Sequence, residues 1–411
     1  MRLLTLLSSL ILSPSLIGLA HSRPAPEPTI IDLEPVRVPG ATFFDEVYIV
    51  GDEKTTLVVS MGRNEERPAI WRAFDAKGRE RWRREHACPD FSDYAELRFE
   101  GGLATCKMSF SLTAFDVASG AERWSFLSPR PLYMNDIEAG RVAISVMNQE
   151  LAVLDARTGR TVLRIDTPGA VFQRLASTPS GPFAVLLQDP PGRVERSIDL
   201  DLGDGPRRVV VAEPDAERRM VAVPVGGTAS GLVAMKPVWA VPFEGYSFKV
   251  EEAAGALIGE PSEGLRVAWD ALTGAQLWTA KIKDDELAAF GRLGGVATKH
   301  TPEGWSYQGF APRADEVQWS VPVPTEMMRP DTETPLFVRV GGTRGAIVAP
   351  RVIRLFSLRD GATELPLEVP DGYEVTAAHL SDNLLVYVTT REGSQRLHLV
   401  PLTSPRANAH P

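Results

Sequence analysis

The 411-residue chain has few of the residues from which metal and catalytic sites are built. It contains two cysteines and six histidines, and the histidines are scattered with no HExxH pair. No GxSxG nucleophile turn, Walker loop or dinucleotide-binding glycine pattern occurs. The sequence signatures of zinc proteases, serine hydrolases and nucleotide-binding enzymes are therefore absent. We predict no catalytic, cofactor-binding or metal-ligating residue.

A long basic segment is also missing. The chain carries 44 Lys and Arg against 53 Asp and Glu, which gives a formal net charge of −9. An acidic surface repels the phosphates of nucleic acids and anionic lipids. The one arginine-rich stretch, RWRRE at 81–85, has the pattern of a solvated strand face. We therefore predict no nucleic-acid partner.

The one extended apolar run lies at the N-terminus. A single Arg precedes the run from Leu3 to Ala20, and Gly18 and Ala20 are the small residues that a signal peptidase requires ahead of a cut before His21. We predict a cleaved signal peptide over 1–20, a proline-rich linker over 21–29, and a periplasmic or secreted protein with no membrane span after cleavage. An uncleaved N-terminal membrane anchor is the alternative, because a run of about 18 residues is the lower limit for crossing a bilayer.

The two cysteines, Cys88 and Cys106, both belong to the mature chain. In an exported protein such a pair most simply forms one disulfide. Closing a loop of this size contributes about 3 kcal/mol in the chain-entropy model. Two buried free thiols are the alternative.

What the sequence does contain is a repeated hairpin. Alternating apolar residues lead into an Asp, a turn with Gly follows, and most copies end on Trp. The Asp carboxylate can accept backbone N–H groups of the turn, Gly can take positive φ, and a large ring at a fixed place fills the seam between neighbouring sheets. We predict these structural roles for Asp75, Gly78 and Trp82 in FDAKGRERW, Asp116, Gly120 and Trp124 in FDVASGAERW, Asp155 and Gly159 in LDARTGRTVL, Asp270, Gly274 and Trp278 in WDALTGAQLW, and Trp319 in ADEVQW.

The spacing of the hairpins indicates a radial array. Gly78, Gly120, Gly159 and Gly205 follow one another at 42, 39 and 46 residues, and repeats of about 40 to 50 residues with several short strands are typical of propeller blades. The next interval, 69 residues to Gly274, is too long for one blade, so 227–243 is either a degenerate blade or an insertion.

The predicted fold is all-β: a single β-propeller of four-stranded antiparallel blades over 30–405, with a C-terminal tail over 406–411. Eight blades are favoured, with seven as the alternative. The strand-like segment at 30–38 is predicted to complete the sheet of the last blade. The segment from Lys283 to Gly295 is either a short helix or a link between blades.

The repeated motifs resemble those of the pyrroloquinoline-quinone-like (PQQ-like) propeller superfamily, in which an Asp, a Thr-Gly turn and a docking Trp recur in each blade. The resemblance covers roughly 47–402. One branch, the quinoprotein alcohol dehydrogenases, binds its quinone beneath a disulfide between adjacent cysteines and holds a Ca²⁺ ion. This chain has no adjacent cysteines, and none of those ligands has a counterpart here. A second branch contains exported propellers without catalytic activity, which bind partners through loops at one face.

The resemblance therefore implies an exported, non-enzymatic propeller of the second branch, a monomer that serves as a protein-binding or envelope scaffold module. Its partner would be another protein or an envelope component, and no cofactor is predicted. The alternatives are an oxidoreductase that uses PQQ and Ca²⁺, and a carbohydrate-active propeller with carboxylates or a His at one mouth of the channel. Any ligand site is expected near the aromatic residues of Pro302–Phe310 and Phe243–Phe248.

Overall fold

A computed structural model of the chain contains 35 strands and one 3₁₀ turn in the part it describes, and no α-helix there. The described residues are 28–33, 46–51, 54–61, 69–86, 97–147, 149–189, 196–201, 206–211, 218–243, 250–253, 255–262, 265–281, 288–290, 294–301, 304–314, 316–328, 338–364, 366–391 and 394–402. The predicted signal peptide, the linker up to residue 27 and the C-terminal tail lie outside them.

Strand β1 (Thr29–Leu33) precedes the blades, and the first four blades follow in chain order. Blade 1 consists of β2 (Glu46–Gly51), β3 (Thr55–Met61), β4 (Ala69–Asp75) and β5 (Glu80–His86). Blade 2 consists of β6 (Leu97–Glu100), β7 (Leu103–Lys107), β8 (Ser111–Asp116) and β9 (Glu122–Leu127). Blade 3 contains β10 (Leu132–Glu138), β11 (Arg141–Val146), β12 (Glu150–Asp155) and β13 (Thr161–Asp166). Blade 4 consists of β14 (Ala170–Thr178), β15 (Gly181–Gln188), β18 (Arg219–Pro224) and β20 (Trp239–Pro242). Along the chain, the hairpin of β16 (Arg196–Asp201) and β17 (Pro206–Val211) lies between β15 and β18, and β19 (Leu232–Ala234) lies between β18 and β20.

The other four blades have the same order. Blade 5 consists of β21 (Val250–Ala253), β22 (Ala256–Ser262), β23 (Leu265–Asp270) and β24 (Gln276–Lys281). Blade 6 consists of β25 (Ala288–Phe290), β26 (Gly295–Thr301), β27 (Gly304–Phe310) and β28 (Val317–Pro322), and the 3₁₀ turn Thr325–Met327 follows it. Blade 7 consists of β29 (Val338–Val340), β30 (Arg344–Val348), β31 (Val352–Ser357) and β32 (Leu367–Glu368). Blade 8 consists of β33 (Glu374–Leu380), β34 (Leu384–Arg391), β35 (Ser394–Pro401) and the N-terminal strand β1.

The blades form a closed ring. Each blade's first strand contacts the first strand of the next blade, and β33 of blade 8 contacts β2 of blade 1. The N-terminal strand β1 pairs antiparallel with β35, from Thr29 opposite Leu399 to Leu33 opposite Gln395. The eight-bladed propeller and its closure by the N-terminal strand are therefore confirmed, and both ends of the described chain lie in one sheet.

Blade 4 explains the irregular interval in the sequence repeats. The strands β16 and β17 pair only with each other, as a hairpin inserted between β15 and β18. The prediction that Gly205 marks a blade turn is therefore wrong, because Asp-Gly turn chemistry serves any hairpin. The segment 227–243 is not a blade: β20 is the outer strand of blade 4, and β19 pairs in parallel with β13 of blade 3.

The segment from Lys283 to Gly295 contains a strand rather than a helix. Its described residues 288–290 form β25, which pairs antiparallel with β26 as the first strand of blade 6. The helix alternative is wrong for these residues, since their backbone pairs with β26. Residues 283–287 and 291–293 lie outside the described part.

The core of the protein lies between blades, and tryptophan indoles connect one blade to the next. The indole N–H of Trp124 on β9 donates to the carbonyl of Ala156 in blade 3 at 2.9 Å. The ring covers Gly159, where an added Cβ would lie 2.5 Å from indole atoms. The same bond joins Trp82 to Val117 at 2.8 Å, Trp239 to Ala271 at 3.1 Å, Trp278 to Pro312 at 2.9 Å and Trp319 to Leu358 at 2.8 Å.

The motif aspartates close the turns that the indoles cover. The Asp155 carboxylate accepts hydrogen bonds from the backbone N–H and the hydroxyl of Thr158 at 2.9 and 2.7 Å. The Thr158 hydroxyl lowers the pKa of Asp155, so the carboxylate stays ionised in the turn. Equivalent contacts join Asp116 to Ser119, Asp270 to Thr273, and Asp75 to the backbone N–H groups of Lys77 and Arg79.

A buried histidine lies in the closing blade. His398 on β35 is opposite Ile30 of β1, is 1% exposed and stacks on Tyr387 with ring centroids 4.4 Å apart. Its Nε2 shares a 2.9 Å hydrogen bond with the Thr389 hydroxyl, and its Nδ1 has no partner among the described residues. Burial, together with the nearby charge of Arg396, lowers the pKa of His398 to about 4. The fold therefore requires the neutral imidazole.

The contact between indole and glycine leads to a first prediction. Gly159→Ala should lower the free energy of unfolding by about 2 to 4 kcal/mol, because alanine is strained at positive φ and its methyl group collides with Trp124. Gly140 is the matched control, since its φ of 73° resembles the 66° of Gly159 but nothing lies within 4 Å of an added Cβ. Gly140→Ala should lose only about 1 kcal/mol in the same denaturant titration. Equal losses for the two variants would refute the close packing.

The buried histidine leads to a second prediction. Because the pKa of His398 is lowered, the unfolded chain takes up this proton near pH 6.5 and the folded chain only near pH 4. Stability should therefore fall by about 2 to 3 kcal/mol as the pH drops from 6.5 to 4. His398→Gln should remove that part of the pH dependence, which urea titrations at pH 7 and pH 4.5 would measure. Parallel curves for wild type and variant would contradict the assignment.

Candidate functional site

The two faces of the ring carry different connections. One face, here called the motif face, carries the turns between first and second strands and the Asp–Gly turns between third and fourth strands. The opposite face, here called the linker face, carries the turns between second and third strands and the links from each blade to the next. Propeller loops at one face are free to vary because the strands that support them are fixed by the blade interfaces.

Four large apolar side chains are exposed on the linker face of blades 2 and 3. Phe110 lies in the turn between β7 and β8, Leu127 ends β9, Tyr133 lies near the start of β10, and Met147 lies in the turn between β11 and β12. Their exposed fractions are 53%, 78%, 38% and 39%. We refer to these four residues as the apolar patch. Clustered exposed apolar side chains on a folded domain mark interaction surfaces more often than isolated ones do.

Backbone hydrogen bonds join the segments that carry the apolar patch. The N–H of Ser128 donates to the carbonyl of Phe110 at 2.9 Å, and the N–H of Leu132 donates to Ser109 at 2.6 Å. The N–H of Met147 donates to the carbonyl of Pro131 at 3.0 Å. The turns of two neighbouring blades and the link between them therefore form one connected layer, and the patch is an ordered surface.

Met147 is held in an unfavourable backbone conformation. Its φ is 50°, in the left-handed region, where residues other than Gly, Asn and Asp are uncommon. Such strain costs on the order of 1 to 3 kcal/mol and clusters at ligand-binding positions. The only other non-glycine residue with positive φ in the described part is Ala139, on the motif face. Because its backbone is strained and its side chain is exposed, Met147 is better explained as a residue that contacts a partner than as one that stabilises the fold.

One cation accompanies the apolar patch. Arg130 lies between Pro129 and Pro131 in the link from blade 2 to blade 3, and it is the only charged residue from Leu127 to Tyr133. Its N–H donates to the Ser128 hydroxyl at 3.1 Å, and its guanidinium reaches the Gln149 side chain at 3.4 Å. The two prolines restrict φ on both sides, so this cation is presented by a stiff link.

In the described part of the segments expected to hold a ligand site, two of the aromatic rings are buried. Residues 304–310 of the stretch Pro302–Phe310 form the paired strand β27, in which Tyr307 is 1% exposed and Trp305 packs on His300 with ring centroids 4.9 Å apart. Phe243 is fully buried, and 244–248 lie outside the described residues. Phe243 packs against Trp269 of blade 5, and Tyr307 lies in a cluster shared with blade 7, so these two rings belong to the core. The apolar patch was not predicted, because single apolar residues in separate turns form no sequence pattern that indicates a shared surface.

Three carboxylates lie close together on the first strands of blades 2 and 3, toward the motif face. The Glu100 carboxylate accepts the N–H of Ala139 at 3.0 Å, and burial, helped by the charges of Glu138 and Asp136, raises its pKa. Asp136 accepts the N–H of Leu175 and Glu138 accepts the hydroxyl of Ser177, at 2.8 and 2.7 Å. Each carboxylate therefore bonds a neighbouring blade. Their observed role is to join first strands around the channel.

A cleft of about 390 Å³ lies between blades 4 and 5. It is open because β20 has four residues and leaves part of β23 uncovered. Its walls include Val241, Leu265, Val267 and Trp269, and its polar residues Gln276 and Thr279 bond each other at 2.9 Å. The lining is mostly apolar, and these two side chains are its polar part.

Metal-binding and membrane-spanning elements were sought in the same described residues. No group of three or more His, Cys, Asp or Glu side chains that could hold a metal ion is found within them. They also contain no helix long and apolar enough to cross a bilayer. No free thiol occurs in this part; Cys106 is buried on β7. The disulfide stays a prediction, because Cys88 lies outside the described part.

Comparison with known proteins yields similarity in structure alone. No family model and no curated protein matches the chain. A computationally designed protein, Ika8, is similar with a TM-score of 0.54 and 13% identity over 89% of this chain and 98% of its own. BamB from Moraxella catarrhalis aligns with a TM-score of 0.46 and 14% identity over 93% of this chain and 100% of its own. At 13% identity the similarity to the designed protein concerns the fold, and no activity follows from it.

The exposure of the patch predicts that its side chains contribute little to folding. Leu127→Ala should change the free energy of unfolding by less than about 0.5 kcal/mol, because the side chain is 78% exposed. Leu112 on the adjacent β8 is fully buried, and Leu112→Ala should lose about 2 to 5 kcal/mol. Denaturant titration of both variants gives the comparison. A loss above 1.5 kcal/mol for Leu127→Ala would show that Leu127 belongs to the core.

Proposed function

We propose that this protein is an exported, non-enzymatic propeller that binds a protein partner through the apolar patch on its linker face. The observation that carries the proposal is the patch itself: four exposed apolar side chains on connected, hydrogen-bonded turns, one of them held at a strained φ. An ordered apolar surface of this kind needs little reorganisation on binding, which favours affinity.

The composition of the surface defines the partner. Aromatic residues, Met and Arg are enriched at protein interfaces, and Phe110, Tyr133, Met147 and Arg130 supply all three types. Complete burial of an aliphatic side chain such as Leu127 contributes about 1.5 to 3 kcal/mol. Because Arg130 is the charged residue of the link between Leu127 and Tyr133, the complementary partner segment carries apolar side chains and a carboxylate.

Export and family membership form part of the proposal. Export is supported by the apolar leader over 1–20 and by the cysteine pair, for which we propose the Cys88–Cys106 disulfide. Membership in the PQQ-like superfamily is supported by the position of the motifs: the Asp–Gly turns of blades 2 and 3 lie under the docking tryptophans of blades 1 and 2. We propose the non-catalytic branch because the sequence lacks the adjacent cysteines of the quinoprotein dehydrogenases.

Selection of peptides tests the proposed surface. Random twelve-residue peptides displayed on phage are selected on the folded full-length protein, and enriched peptides are synthesised and titrated by fluorescence anisotropy. The double variant Phe110→Ser with Leu127→Ser should weaken their binding at least tenfold. Arg130→Glu should weaken peptides that contain an acidic residue by a similar factor, because it replaces attraction by repulsion.

The matched control removes apolar side chains of similar exposure from the motif face. Val238 and Leu272 are 60% and 52% exposed, and Val238→Ser with Leu272→Ser should leave peptide binding unchanged. Peptides that bind the Phe110/Leu127 double variant as tightly as the wild type, or no enrichment at all, would overturn the proposal.

A further inference from the structure

We propose that the partner segment binds as a β-strand along the outer edge of β9, with its side chains reaching the apolar patch at the end of that strand. This inference rests on the proposed function and adds to it the backbone geometry of the partner. It makes the partner an extended segment of alternating apolar residues rather than a helix or a loop.

The register of blade 2 shows which backbone groups of β9 face outward. Phe126 is opposite Leu112, Trp124 is opposite Ala114, and the next pair in this series, Ser128 and Phe110, is joined by a hydrogen bond from Ser128 N–H. In an antiparallel ladder, hydrogen-bonded pairs alternate with pairs whose backbone groups point away. The N–H and C=O groups of Ser125 and Leu127 therefore point away from β8, and β9 is the last strand of its sheet.

The chain itself shows that an outer blade edge accepts another strand. In blade 3, the equivalent outer strand β13 pairs in parallel with β19, with Arg164, Ile165 and Asp166 opposite Leu232, Val233 and Ala234. Blade 8 has three strands of its own and acquires β1, paired antiparallel with β35, as its fourth strand. Two of the eight sheets thus gain a strand from a distant part of the chain. The outer edge of β9 offers the same ladder and has no such strand among the described residues.

The edge of β9 also lacks the features that protect other outer strands. Proteins block exposed edges with proline, lysine, many charges or very short strands. Those features occur in β5, with charged residues at five of seven positions, in β20 and β28, which end in Pro, in β24, which ends in Lys, and in β32, which has two residues. The second half of β9, Trp124 to Leu127, contains none of them.

The edge and the apolar patch are continuous. Leu127 is the last residue of β9 and the most exposed member of the patch, and Arg130 follows in the link. A strand paired with Ser125 and Leu127 would therefore end beside Leu127 and the link that carries Arg130, at the border of the apolar patch. Backbone hydrogen bonds supply affinity that is independent of sequence, and the patch with Arg130 supplies selectivity for apolar and acidic residues.

The test uses a proline in the outward-facing position. Ser125→Pro removes an N–H that points away from β8, so the blade keeps its own ladder, and proline is tolerated on edge strands. This variant should weaken the peptides selected on the wild type at least tenfold. Thr279→Pro is the matched control, because Thr279 follows Trp278 on β24 as Ser125 follows Trp124 on β9. The control should bind the peptides as the wild type does.

Amide hydrogen exchange gives a second measurement that does not depend on how the variant folds. Binding of a selected peptide to the wild type should slow exchange at Ser125 and Leu127 at least tenfold, and the peptides should share apolar residues at every second position. Unchanged exchange at both amides, or peptides with apolar residues three and four apart, would overturn strand addition. If Phe110→Ser with Leu127→Ser abolishes binding while Ser125→Pro does not, the proposed surface stands and this inference fails.

Discussion

The bond from an indole N–H to a carbonyl of the next blade is the constraint on which the ring depends. It joins five of the eight blades to their successors, and at four of these contacts the indole covers a glycine of the neighbouring blade. The bond is directional and the glycine contact is tight, so together they fix both the distance and the angle between two blades. Stability is therefore concentrated between blades rather than within them, which explains why the buried clusters combine residues from neighbouring sheets.

Two of the three remaining interfaces show what replaces an indole. At the outer edge of blade 3, β19 adds a strand, and Val233 and Met235 of that segment pack into the cluster shared with blade 4. At blade 8, β1 supplies the contact with blade 1: the side chains of Thr29 and Ile31 lie against Gly78, where the other turns receive a tryptophan. Both replacements come from outside the regular repeat. A covered turn is thus a recurring requirement of the blade interfaces, met by tryptophan at four of them and by the side chains of β1 at another.

This requirement explains how far the sequence could predict the structure. The Asp–Gly–Trp pattern is local, and each of its residues has a structural role of its own, so the propeller could be predicted from it. The closure was predicted separately, from the strand-like segment at 30–38 that belongs to no repeat. The prediction for Gly205 was wrong because an Asp–Gly sequence favours a turn in an inserted hairpin as well as in a blade. Trp239 was not assigned because no Asp–Gly turn precedes it in its own blade; its partner, Gly274, lies in the next one. The apolar patch depends on the meeting of turns from two blades, Phe110 with Ser128 and Pro131 with Met147, and no local pattern records that contact.

Strand addition at outer edges then connects the fold to its proposed use. The chain employs this interaction twice for itself, once to close the ring and once to cover blade 3. Both added strands are short: β19 has three residues and β1 has five. Besides their backbone pairing, both pack apolar side chains into a buried cluster. The same combination favours binding of a partner strand at the edge of β9. Few backbone hydrogen bonds are needed there, because the apolar side chains of the patch lie beside that edge. Blade 2 thus has an outer edge and an adjoining apolar surface of the same kind, and no other described strand pairs with that edge.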